Sequence, residues 1–226
     1  MKFELRPYQH DLSIKALSIL RKFNVVYLSM QVRTGKSLTA LETCRLYGAK
    51  KVLFLTKKKA IDSIIKDYTN FGYDFELIVI NDESLHKLQQ LDFDVVIHDE
   101  HHRFGAFPKP GKATRLFREM FYRKAQIYLS GTPTPEGFSQ IFHQFWVTSN
   151  GPWTEYINFY KWVHAGYVDP KQRRLPTHVV TDYSRADKAR IMADIEPYMI
   201  TLTQEEAGFK TKVDEEILYV NMKPIT

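Results

Sequence analysis

The chain has one cysteine, Cys44, in 226 residues. No disulfide can therefore form within it, and a reducing compartment suits it. No apolar stretch approaches the ~20 residues that a membrane-spanning helix requires. The opening Met1-Lys2-Phe3-Glu4-Leu5 has no signal-peptide core. A cytoplasmic protein without membrane association, and a monomer, is expected. There is no internal repeat and no low-complexity tract. What the chain has is 44% hydrophobic residues, enough to hide roughly 70% of its unfolded surface in a real core.

Three short segments stand out against this background. The first is Arg33-Thr34-Gly35-Lys36-Ser37, which follows the apolar run Val25, Val26, Tyr27, Leu28 and precedes a helical pattern carrying Leu38, Leu41 and Cys44. Strand, loop and helix are the setting of a phosphate-binding loop. Backbone N–H groups and the positive end of the helix meet phosphate oxygens, Lys36 reaches the β and γ phosphates, and the Ser37 hydroxyl is a ligand for Mg²⁺. Arg33, Thr34 and Gly35 complete the cradle. Met30 stands where the usual pattern has its first glycine. Cys44 falls on the apolar face of the helix and is read as packing.

The second segment, Asp99-Glu100-His101-His102, follows Phe93-Asp94-Val95-Val96-Ile97, a run of the kind a strand buried on both faces shows. Carboxylates at such a tip sit where open α/β sheets bind ligands. Asp99 is expected to hold the magnesium shell and Glu100 to orient or deprotonate the attacking water, which is most of what phosphoryl transfer asks of a protein. His98 and His102, four apart, superficially resemble a helical zinc pair. That pattern needs glutamate directly after the first histidine and a helix beneath it, whereas Asp99 and a strand are found, so no zinc site is expected. The third segment is Ser130-Gly131-Thr132-Pro133, again at the end of a strand.

The coarse order is helix 8–22, strand 24–30, helix 36–48, strand 51–56, helix 59–70, strand 75–80, helix 83–90, strand 93–98, helix 112–123 and strand 125–129. Alternation of this kind predicts an α/β fold with a mostly parallel central sheet covered on both faces. Residues 138–167 form an aromatic-rich helical segment, read mainly as core. The pattern loosens over 170–183, a helix is expected over 185–197, and Ile217-Leu218-Tyr219-Val220 reads as strand-like.

Charge is uneven. Residues 1–60 hold thirteen Lys and Arg against three acids, a net of +10 within a chain of net +6. A basic half beside a nucleotide loop points to a polyanion beyond the nucleotide, with Lys57, Lys58 and Lys59 at the end of a strand as the sharpest cluster.

With Leu5-Arg6-Pro7-Tyr8-Gln9 added, the set resembles motifs Q, I, II and III of superfamily-two helicases, and most of all Swi/Snf-like double-stranded DNA translocases, including phage-encoded relatives whose setting is the host cytoplasm. The resemblance implies a RecA-like P-loop NTPase lobe over 1–202, with 203–226 opening a linker to a second RecA-like lobe. It implies ATP and Mg²⁺ as cofactors, and nucleic acid, in the form of double-stranded DNA, as partner. By the same resemblance Gln9 reads the adenine edge, Thr56, Lys57 and Lys58 touch the nucleic-acid backbone, and Ser130 and Thr132 couple hydrolysis to movement. His101 replaces the usual alanine of the acidic box and is expected beside the γ-phosphate.

No counterpart of the family's motifs IV to VI follows. The first lobe of a longer protein is expected, one that binds ATP but hydrolyses it weakly without the second lobe's arginine, a group worth roughly 10³ to 10⁵ in rate. Two alternatives stay open: a non-enzymatic nucleotide-binding interaction module, and another P-loop phosphotransferase such as a kinase.

Overall fold

The computed structural model describes residues 3–174 and 176–209. The strand-like Ile217–Val220 lies outside the described residues. Six strands form one parallel sheet: β1 (Val25–Met30), β2 (Lys51–Thr56), β3 (Glu76–Asn81), β4 (Val95–His98), β5 (Ala125–Ser130) and β8 (Met199–Leu202), in the order β3-β2-β4-β5-β1-β8. The runs VVYLSM, VVIH and AQIYLS are buried almost throughout, as strands covered on both faces must be.

Period-two alternation along the strands divides the core. Val26, Leu28, Phe54 and Ile97 face α1 (Pro7–Phe23), α2 (Lys36–Tyr47) and α3 (Ile61–Phe71). Tyr27, Leu53, Val96 and Tyr128 face α4 (Lys112–Phe121), α5 (Ile141–Trp146), α6 (Phe159–Trp162) and α7 (Lys188–Ile195). The aromatic-rich segment fills this second layer, with Phe142, Phe145, Trp153, Phe159, Trp162 and Tyr167 all buried. Cys44 is fully buried among the apolar groups under α2.

Three elements differ from expectation. The helix expected over 83–90 is only a 3₁₀ turn, Asp82–Lys87. One residue of that turn, Leu85, is buried, so an apolar face to hold a longer helix is missing. Strand β8, just past the helix expected over 185–197, is not among the expected strands, because four residues behind Pro197 give little periodicity. Its Ile200 and Leu202 are buried, and it pairs with β1 from Tyr27↔Met199 to Met30↔Leu202. The loosened stretch 170–183 contains an antiparallel pair, β6 (Lys171–Arg174) and β7 (Val179–Asp182).

Among the described residues, no helix is long and apolar enough to cross a membrane.

Candidate active site

Strand order brings the chemistry together. Strand β5 is hydrogen-bonded to β1 on one side and to β4 on the other, with Tyr27, Tyr128 and His98 level in register. The loop after β1, the acids after β4 and the Ser-Gly-Thr after β5 thus share the carboxyl rim within two inter-strand spacings, about 10 Å.

The phosphate loop turns on two left-handed residues, Arg33 (φ 65°) and Gly35 (φ 81°), the second capping α2. Glycine carries this conformation without the clash a Cβ would bring. It is also needed for space, since a Cβ on Gly35 would lie 2.0 Å from Gln9 Nε2. Gln9 is itself buried, its Oε1 accepting from the Arg6 N–H at 2.9 Å, with one lone pair left over. The amide expected to meet adenine is therefore seated directly against the phosphate loop. Tyr8 donates its hydroxyl to the Thr34 carbonyl at 3.0 Å, and Thr34 bonds the Gln31 carbonyl through Oγ1 at 2.6 Å.

Lys36, in the first turn of α2, donates to the Gln31 carbonyl at 3.3 Å. Burial pulls its pKa below the ordinary lysine value, while the charges of Asp99 and Glu100 push it back up. The amine thus lies near enough to both carboxylates to feel their charges. Ser37, half-buried, follows on the same turn.

Asp99 is fixed from two sides, accepting from the Thr56 hydroxyl at 2.8 Å and from the Glu100 N–H at 3.0 Å. Desolvation raises its pKa, with the Thr56 bond working against the rise. A positive charge placed beside this carboxylate would offset that cost. Glu100 adopts a left-handed backbone at φ 51°, a conformation that costs a non-glycine residue of order 1 kcal/mol. Its two oxygens lie 3.5 Å from Lys57 Nζ and 3.4 Å from His102 Nδ1.

Two expected roles change. Thr56, expected on the nucleic-acid backbone, is fully buried and spends its hydroxyl on Asp99, so orienting that carboxylate is its visible work. His101, expected beside a γ-phosphate, is instead turned into the core. It is fully buried, stacked on Tyr128 with ring centroids 3.6 Å apart. Its burial and the neighbouring His98 drive its pKa well below the imidazole range, so the ring is neutral. Nε2–H then donates to the Gln144 carbonyl at 2.8 Å, leaving Nδ1 to accept from His98 Nδ1–H at 2.7 Å. The neighbouring histidine makes the contact to the third segment: His102 Nδ1 is 2.9 Å from Ser130 Oγ, which also accepts from the Thr132 N–H at 3.1 Å. His98 and His102 therefore point to different partners.

Sequence reading missed three contributors. Gln144, fully buried on α5, accepts from the Tyr27 hydroxyl at 2.7 Å and donates to the Pro133 carbonyl at 2.8 Å, while its own carbonyl holds His101. One residue thus fastens the strands or loops of all three segments. Gln204 bonds Gln31 Oε1 through its N–H at 2.7 Å and the Val32 carbonyl through its side chain at 2.9 Å, so residues just past β8 brace the phosphate loop. Arg103 pairs with Asp82 beside Lys57 and Lys58 around an open depression of about 440 Å³. No local pattern marks any of these residues; each acts through a partner distant in sequence.

No protein-family model matches the chain, and no curated protein matches it. Among solved structures, the Hef helicase domain of Pyrococcus furiosus superposes with a TM-score of 0.50 at 16% identity, over 73% of this chain and 41% of that one. The chain thus spans about two fifths of the length of the helicase structure it matches. At that identity the likeness concerns the fold, and the fold is that of a RecA-like helicase lobe.

Proposed function

We propose that this chain is the ATP-binding lobe of a superfamily-two helicase or translocase, of the Swi/Snf-like kind, that couples Mg-ATP hydrolysis to movement on duplex DNA. The observation that carries the reading is the strand order, which sets the loop bearing Lys36 and the acids Asp99 and Glu100 on the two sides of β5 at one rim of the sheet.

The donor set fits a magnesium nucleotide: loop N–H groups at a helix start, an amine, a hydroxyl and a half-buried carboxylate with a raised pKa. Lys36 and the loop around Gly35 hold the phosphates, Ser37 and Asp99 hold the ion, and Gln9 meets the adenine. Bound there, magnesium offsets the phosphate charge that grows during transfer. Glu100, kept between Lys57 and His102, orients the attacking water and takes its proton. His102 and Ser130 join that carboxylate to Thr132. Lys57 and Lys58 border the depression beside β2 and supply cations for a phosphate backbone.

The test uses the full-length protein. Lys36→Ala should abolish nucleotide binding, and Glu100→Gln should keep binding while stopping DNA-stimulated hydrolysis. Unchanged ATP affinity in Lys36→Ala, or unchanged turnover in Glu100→Gln, would overturn the assignment.

A further inference from the structure

The ribbon β6–β7 has no place in the six-stranded sheet, and burial does not explain it. All four residues of β6 are exposed, and of β7 only Val180 is partly covered. A lone two-stranded ribbon is marginal in water, so its base must be held by other means. It is: the Asp169 N–H bonds the Arg185 carbonyl at 2.9 Å, the Asp187 N–H bonds the Tyr167 carbonyl at 2.8 Å, and Ser139 donates to the Tyr183 carbonyl at 2.5 Å. The Tyr183 ring meets Phe159 and Phe107 edge-on.

The strands carry three cations, Lys171, Arg173 and Arg174, against one acid, Asp182. Asp169 takes up both Lys171 and Arg185 at 3.3 Å. Among the described residues Arg173 and Arg174 have no carboxylate within ion-pair distance, and as neighbours on a strand they project from opposite faces. Position adds a second argument. Phe107, against the ribbon base, is four residues from Arg103, which borders the Lys57–Lys58 depression. Four residues span at most about 14 Å, so the ribbon base and that depression are tied to the two ends of one short segment.

We propose that β6–β7 is a second nucleic-acid contact, a ribbon that enters the major groove of duplex DNA and grips its flanking phosphates through Arg173 and Arg174. The inference rests on the function proposed above and extends it to a new surface. The chemistry selects the duplex. A B-form major groove, about 12 Å wide, admits a two-stranded ribbon, whereas the A-form RNA groove is too narrow to admit side chains. Single strands are gripped by aromatic platforms, and from Lys171 to Asp182 the sequence contains no Phe, Tyr or Trp. Guanidinium groups supply the forked donors that phosphates accept.

The test is a salt series of anisotropy titrations with the full-length protein on random-sequence duplex DNA, single-stranded DNA and duplex RNA. Proteins compared are the parent, the double variant R173A and R174A, and the double variant K57A and K58A. Two lost phosphate contacts should lower the salt slope by about 1.8 and weaken duplex binding roughly thirtyfold at 0.15 M salt. ATP affinity and melting temperature should stay at the parent's values, and single-stranded DNA binding should barely move. If R173A and R174A keep the parent's duplex affinity and slope while K57A and K58A lose theirs, the ribbon contact is refuted and the helicase reading survives. An equal loss on single-stranded DNA refutes groove docking. A parent that binds none of the three nucleic acids refutes both.

Discussion

Gln144 offers the sharpest measurement, because its one buried side-chain amide ties the strand before the first segment to the end of the third. In Gln144→Leu the side-chain bonds to the Tyr27 hydroxyl and the Pro133 carbonyl vanish while the volume stays similar. Tyr27 is fully buried and cannot turn to solvent. A buried hydroxyl that loses this partner costs about 1–3 kcal/mol, and the looser Pro133 carbonyl adds less. A total of about 2–4 kcal/mol corresponds, for a domain of this size, to a fall in melting temperature of roughly 5–15 °C. Tyr27→Phe should be destabilising as well, since it strands the Gln144 oxygen. The two together should cost less than their sum by about 1–3 kcal/mol, because a methyl-sized gap then faces an apolar ring and no polar atom is stranded there. Urea denaturation of the four proteins in the cycle measures this. Additivity within about 0.5 kcal/mol would show that the two groups do not depend on each other, and the role given to Gln144 would be wrong.

Two further perturbations follow from the same geometry. Gly35→Ala places a Cβ at positive φ and against the Gln9 amide; about 1–2 kcal/mol of stability should be lost, and discrimination of ATP from GTP should fall with it, which competition binding would reveal. Burial pushes His143, whose Nδ1 donates to the Ala106 carbonyl at 2.7 Å, down to about 4. The unfolded chain then binds the extra proton between that value and about 6.5, so this histidine's stabilisation is full above the window and disappears as pH falls through it. The loss is about 3 kcal/mol; His143→Gln should flatten that part of the pH profile, and an unchanged profile would contradict the assignment.

How much could be read from residues alone differs from element to element. The buried strands were legible because covering both faces forces unbroken apolar runs, and the turn from β1 into α2 because Gly35 follows an apolar run and opens a helical pattern. The place of the acidic pair at the end of β4 was legible for the same local reason. The polar ribbon was not, since Lys-Gln-Arg-Arg shows no burial period, and the edge strand β8 was not, since four residues carry too little of one. The histidines of the acidic box were legible as a pair and illegible as individuals. Their order in the chain is silent on which one points inward, and the left-handed turn at Glu100 sends His101 to Tyr128 and His102 to Ser130.

By itself, then, the sequence determined the alternating α/β pattern, the three rim segments and the basic first part of the chain, because each depends on neighbours within a few residues. The tertiary structure decided that β5 lies between the two chemical strands, that Thr56 serves Asp99, and that Gln144 and Gln204 brace the rim. Those outcomes depend on hydrogen bonds closed between residues as far as 173 positions apart, and pairings of that kind are fixed only when the sheet order is.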